Sequence, residues 1–143
     1  MNINLKSVLL VGLVAGVAII LSAVTMVPIV GNEFDENLAR FDLPPLGVGA
    51  MLYFTSVSLV FGVIVVWIYA VILPSMVSKY RAAIISSLLV WLLAYFLPNV
   101  SMVVYGFMPV KLTVIGTIWG LGEILLAGIV GARLYKPNMP NNV

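Results

Sequence analysis

Four of the five carboxyl groups in this sequence, those of Glu33, Asp35, Glu36 and Asp42, fall in one short polar stretch, which leaves Glu123 alone inside a long apolar run. Gly116, Gly120, Glu123, Ala127 and Gly131 succeed one another at intervals of four, three, four and four. In an α-helix that spacing puts the carboxyl on a stripe of small residues, the kind of face on which a second membrane helix packs closely. A lone intramembrane acid has three roles open to it. It can relay a proton or cation, tie two helices together by a hydrogen bond, or meet a base supplied by a partner subunit. Hydrolysis by general acid–base or nucleophilic chemistry needs at least two cooperating groups. No second acid, base or activated nucleophile shares the depth of Glu123, so no enzyme activity is expected.

The depth follows from counting. Glu123 stands about 13 residues from either end of a helix predicted over residues 110–135, or roughly 18 to 20 Å at 1.5 Å per residue, close to mid-bilayer. Lys111 and Arg133 lie about 18 and 15 Å away along the same axis, too far to pair with it. An ionised, unpaired carboxylate is costly in hydrocarbon, so the neutral acid, able both to donate and to accept, is the expected form unless water enters. By the same counting Ser58 is the nearest hydroxyl in depth, followed by Tyr95 and Ser22. The sequence has no cysteine and no histidine, which removes thiolate sites and the commonest haem, zinc and copper ligand. No cofactor or metal is expected. The net charge of +2 comes from basic residues scattered at helix ends, a pattern that carries no nucleic-acid footprint.

The elements that must hold Glu123 in place are membrane spans. Of 143 residues 63% are hydrophobic and 8% charged, against about a quarter charged in soluble domains. Four charge-poor runs, at residues 7–30, 47–73, 82–105 and 110–135, are each long enough to cross a bilayer, which takes roughly 20 residues. The expectation is an all-α, transmembrane four-helix bundle forming a single domain. A cleaved signal peptide is the weaker reading of the first run, because a signal's apolar core is only about 7 to 15 residues long. Gly12 and Gly16, with Ala23 further along, give the first helix a close-packing face. Between the first two spans, residues 31–46 read as an outer loop carrying a short amphipathic helix. Asn32 would cap it, and Phe34, Leu38 and Phe41 would lie on the membrane surface until Pro44 and Pro45 end it. The four acids there lack the ligand spacing of a calcium loop. Pro98 with Asn99 should kink the third span, and residues 136–143 form a frayed tail.

Lys6, Lys79, Arg81, Arg133 and Lys136 fall at one end of the bundle and Arg40 and Lys111 at the other, which predicts both termini in the cytoplasm. A weak internal repeat also runs through the chain. Residues 62–69 match residues 128–135 at a constant offset, beginning with Gly62 and Gly128 and ending with Tyr69 and Tyr135, and Pro28 and Pro98 take like positions. Two sources fit: a parallel duplication of a two-helix unit, which would be related by an axis along the membrane normal, or chance in an apolar chain.

A glycine-rich first helix, Leu43-Pro44-Pro45, Trp67-Ile68-Tyr69-Ala70, Val90-Trp91-Leu92-Leu93-Ala94-Tyr95, Trp119-Gly120-Leu121-Gly122-Glu123 and a terminal Leu134-Tyr135 together resemble an uncharacterised family of small bacterial four-span integral membrane proteins. The resemblance covers nearly the whole chain and implies a bacterial inner membrane location. Midway along the first helix, where that family tends to carry polar groups, this chain has Ile19, Ile20 and Leu21. The expected function is that of a non-catalytic accessory or packing subunit of a membrane complex, or of a small homo-oligomer. The alternative is a minimal proton- or cation-coupled transporter or channel using Glu123. The expected partners are the lipid bilayer and other membrane subunits or further copies of the chain.

Overall fold

The computed structural model describes residues 3–137, so most of the predicted tail lies outside the described residues. Five α-helices, α1 (Leu5–Ala39), α2 (Val48–Ile72), α3 (Lys79–Trp91), α4 (Leu97–Val104) and α5 (Val110–Leu134), make up nearly all of it. A five-residue π-helical turn, Leu92–Phe96, joins α3 to α4 into one span. The chain is thus an all-α bundle of four helices long and apolar enough to cross a membrane. Large apolar side chains such as Leu9, Leu21, Leu52 and Ile118 cover its outside, as a bilayer requires of a multi-pass protein.

α2 and α5 are the central pair. α1 packs on both and α3 packs on both, whereas α1 and α3 share no packed face among the described residues. The closest crossing is that of α1 with α2, where backbone meets backbone. A Cβ on Gly12 would come within 2.5 Å of Cα of Val63, one on Gly16 within 2.6 Å of Cα of Leu59, and one on Gly62 would overlap the main chain of Gly12 and Gly16. Glycine is needed at this crossing for proximity and not for its conformational range. α3 and α5 repeat the arrangement with slightly larger residues. Gly128 faces the Ala83 carbonyl and the Ser87 hydroxyl, again a small pair four residues apart. Tyr69 and Tyr135, which end the matched segments, meet edge to face with ring centroids 5.9 Å apart. Both hairpins also close alike, on a left-handed residue (Asp42, φ 55°; Gly106, φ 76°) followed by an amide bonded back five residues, Leu43 to Leu38 and Phe107 to Met102. This is a Schellman-type stop. The offset seen in the sequence therefore relates equivalent contacts in space.

The first helix departs from expectation. It does not stop near Val30 to leave a separate surface helix; it continues unbroken through Pro28 to Ala39. Pro28 removes one backbone bond, but the extension is anchored on the start of α5. The Lys111 ammonium bonds Oε1 of Glu33 at 2.6 Å, and the buried Asn37 donates through Nδ2 to the Phe107 carbonyl at 3.1 Å. At 1.5 Å per residue α1 is about 50 Å long, well beyond a hydrocarbon core of about 30 Å, so it tilts or projects from the bilayer.

Burial is uneven along the bundle axis. The buried residues of α2 run from Gly62 to Ala70 and those of α3 from Ala82 to Val90, while α4 has none. The packed core therefore lies in the half that holds the two chain ends. There Tyr135 accepts a hydrogen bond from the Asn4 amide and Ser7 accepts one from the Lys136 amide. At the other end α2 stands clear of its neighbours, with Val48, Leu52 and Tyr53 each more than 60% exposed.

Candidate functional site

Glu123 sits on α5, 6% exposed, and faces the third span. The Tyr95 hydroxyl donates to its Oε2 at 3.4 Å. The reach depends on two neighbours of the Tyr95 ring. At Gly120, one turn before the acid, an added Cβ would strike the Tyr95 ring, so the missing side chain is the notch in which the ring lies. Phe61 of α2 closes the other side, with ring centroids 5.8 Å apart.

Tyr95 itself belongs to the π-turn. Pro98 has no amide proton, so the Ala94 carbonyl loses its α-helical partner and the ring crowds it. The chain answers by widening, with the Leu97 amide bonded to the Leu92 carbonyl five residues back. Four residues advance about 400° in an α-helix and less in the wider π-turn. Trp91, Tyr95 and Asn99, four apart, are thereby kept facing α5. The Trp91 indole donates to the Thr117 carbonyl at 2.8 Å, and Asn99 Nδ2 donates to the Thr117 hydroxyl at 2.8 Å. The expected kink at Pro98 takes this form, a widened turn just before the proline. On the α3 side, Ser87 donates to the Ile124 carbonyl at 3.0 Å.

The first helix reaches the same place. The Trp119 indole donates to the Ser22 hydroxyl at 3.2 Å, and both groups flank the carboxyl. Oε1 of Glu123 is buried without a hydrogen-bond partner among the described residues.

Of the three hydroxyls expected near the acid, Tyr95 and Ser22 are brought to it and Ser58 is not. The Ser58 hydroxyl bonds the Phe54 carbonyl of its own helix at 2.9 Å, and its segment of α2 abuts Gly16 on α1. Depth alone cannot say which neighbour a helix faces. The small residues divide in the same way. Gly12, Gly16, Gly120, Ala127 and Gly131 lie in packed interfaces, the last against Val66. Gly116 has nothing within 4 Å of where its Cβ would be, because the third span meets α5 at that level through Asn99 and Thr117, one residue further round. Trp91, Asn99, Thr117 and Trp119 belong to the polar seam although sequence spacing did not single them out. Their signal was Pro98, whose widened turn aligns the first two with α5.

No family model, curated protein or solved structure matches the chain. The resemblance to the four-span family therefore rests on the quoted segments alone.

Proposed function

We propose that this protein is a non-catalytic membrane bundle that acts by assembly, as an accessory subunit of a larger membrane complex or as a small homo-oligomer, and that Glu123 serves as an interlock between its third and fourth spans. The observation that carries this reading is the fit of Tyr95: its ring fills the notch at Gly120 and its hydroxyl ends on the Glu123 carboxyl. A carboxyl used in this way holds helices together, worth about 0.6 to 2 kcal/mol in a membrane. The outer part of α2, bare on every side from Met51 to Ser56, supplies apolar surface for neighbouring subunits. Pull-down of the tagged chain from native membranes, with identification of what comes with it, tests the reading. A reproducible hetero-complex or a symmetric homo-oligomer is expected, and recovery only as a monomer would contradict it.

One observation favours a second reading. The unpartnered Oε1 of Glu123 leaves capacity for a proton or cation, the property a minimal coupled transporter requires. Four spans with one ionisable group rarely enclose a pathway, so that reading requires several protomers around the site.

The membrane in question is, on this reading, a bacterial inner membrane, with both termini in the cytoplasm. The support is the basic asymmetry, which the fold gathers at the end where Asn4 and Lys136 meet. The native chain has no cysteine, so single cysteines report topology cleanly. Asp35→Cys, at an exposed position near the outer end of α1, should react with an impermeant maleimide added to intact cells. Val77→Cys, 96% exposed in the opposite turn, should react only after permeabilisation. The reverse pattern would invert the orientation.

A further inference from the structure

At the end of the bundle away from the chain termini, α1 and the start of α5 enclose an open cleft of about 420 Å³ lined by Glu33, Glu36, Asn37, Arg40, Lys111 and Leu112. Its charges balance, with two carboxylates and two cations. Glu33, Glu36, Asn37 and Arg40 are spaced three, four and seven residues along α1, so one helix face presents them together. Asn37 lines this cleft and is 5% exposed, and its Oδ1 has no hydrogen-bond partner among the described residues. The amide orientation is fixed, because Nδ2 is held by the Phe107 carbonyl at 3.1 Å and the Met108 sulfur at 3.6 Å. A buried acceptor without a donor calls for a hydrogen-bond donor from outside the described residues, and the Glu36 carboxylate one residue away favours one that carries positive charge. Across the cleft, α5 begins at Pro109 with no side-chain cap. Its first amides carry the partial positive charge of a helix N-terminus, beside Lys111, whose side chain is 69% exposed and whose ammonium also bonds Glu33. The α1 wall thus offers acceptors at Glu36 and Asn37 and a cation one turn on at Arg40, and the α5 wall faces them with the Lys111 ammonium and its free first amides.

We infer that this cleft binds a primary ammonium joined to a phosphate through a short linker, the chemistry of a phosphoethanolamine headgroup. The ammonium donates to Glu36 and to Oδ1 of Asn37, and the phosphate lies against Arg40, Lys111 and the first amides of α5. The pattern discriminates among headgroups. Phosphocholine has no N–H to give Asn37, and phosphoglycerol has no cation for Glu36.

The test is competition in nanodiscs of defined composition, read by native mass spectrometry of retained lipid and by thermal stability. Phosphatidylethanolamine should be retained over phosphatidylcholine and phosphatidylglycerol by about tenfold, the scale of one charge-assisted hydrogen bond. Glu36→Gln and Arg40→Gln, at exposed positions that leave the fold intact, should each erase most of that preference. Asn37→Leu should abolish it, and the two exposed variants keep the test decisive if Asn37→Leu fails to fold. Soluble glycerophosphoethanolamine competing at equal concentration would identify a free zwitterion as the ligand, and failure to compete would identify the lipid; either supports the inference. Equal retention of all three lipids, preference for phosphatidylglycerol, or unchanged preference in Glu36→Gln and Arg40→Gln would overturn it.

Discussion

Replacing Gly62 by alanine should be the most damaging single-methyl change in the protein. The added carbon would overlap the main chain of Gly12 and Gly16, and a helix backbone has no rotamer by which to yield. Overpacking in a tight interior costs typically 1 to 3 kcal/mol, and this position belongs at the top of that range, about 3 kcal/mol, because α1 and α2 must separate along their crossing. Gly122→Ala is the matched control: the same change in the same kind of helix, with nothing within 4 Å of the new carbon. It should be neutral, or stabilising by up to about 1 kcal/mol through helix propensity. Thermal unfolding of the two variants in detergent separates them. A Gly62→Ala protein as stable as Gly122→Ala would mean that the α1–α2 crossing is not close-packed.

That crossing was legible in the sequence, since Gly12 and Gly16 declare a close-packing face and charge-poor runs declare four spans. Its counterpart between α3 and α5 was less so, because Ala83 and Ser87 are small without being glycine. Only the offset that pairs Gly62 with Gly128 pointed to it. The end of α1 was misread for a local reason. Pro28, Gly31 and Asn32 look like a stop and a new cap, whereas the continuation to Ala39 is decided by contacts that the chain makes with itself about seventy residues on, Glu33 with Lys111 and Asn37 with Phe107. The partner of Glu123 was found in second place for a similar reason. Counting depth along straight helices favoured Ser58, but Ser58 lies on a stretch of α2 that faces α1, and the widened turn before Pro98 presents Tyr95 to the acid. Depth is a property of one helix, and facing is a property of two.

Glu123→Ala should destabilise by about 2 kcal/mol, the upper part of the range for an interhelical hydrogen bond in a membrane, because it leaves a void beside the Gly120 notch and strands the Tyr95 hydroxyl. Tyr95→Phe should reproduce the hydrogen-bond part of that loss without the void. Ser58→Ala, which removes a hydroxyl bonded only within its own helix, should leave stability within about 0.5 kcal/mol of the parent. If Ser58→Ala weakened the protein as much as Tyr95→Phe, the geometry assigned to the Glu123 interlock would be wrong.

The isosteric replacement separates an interlock from a relay. Glutamine keeps the shape of the acid and can accept from Tyr95 and donate through its amide, but it cannot exchange a titratable proton. The decisive measurement is therefore proton flux into liposomes containing the wild-type protein or Glu123→Gln, made beside the detergent stability of each. The interlock account predicts no flux above protein-free liposomes for either, with Glu123→Gln as stable as the parent and assembled in the same state. Wild-type flux that disappears in a fully folded Glu123→Gln would contradict it.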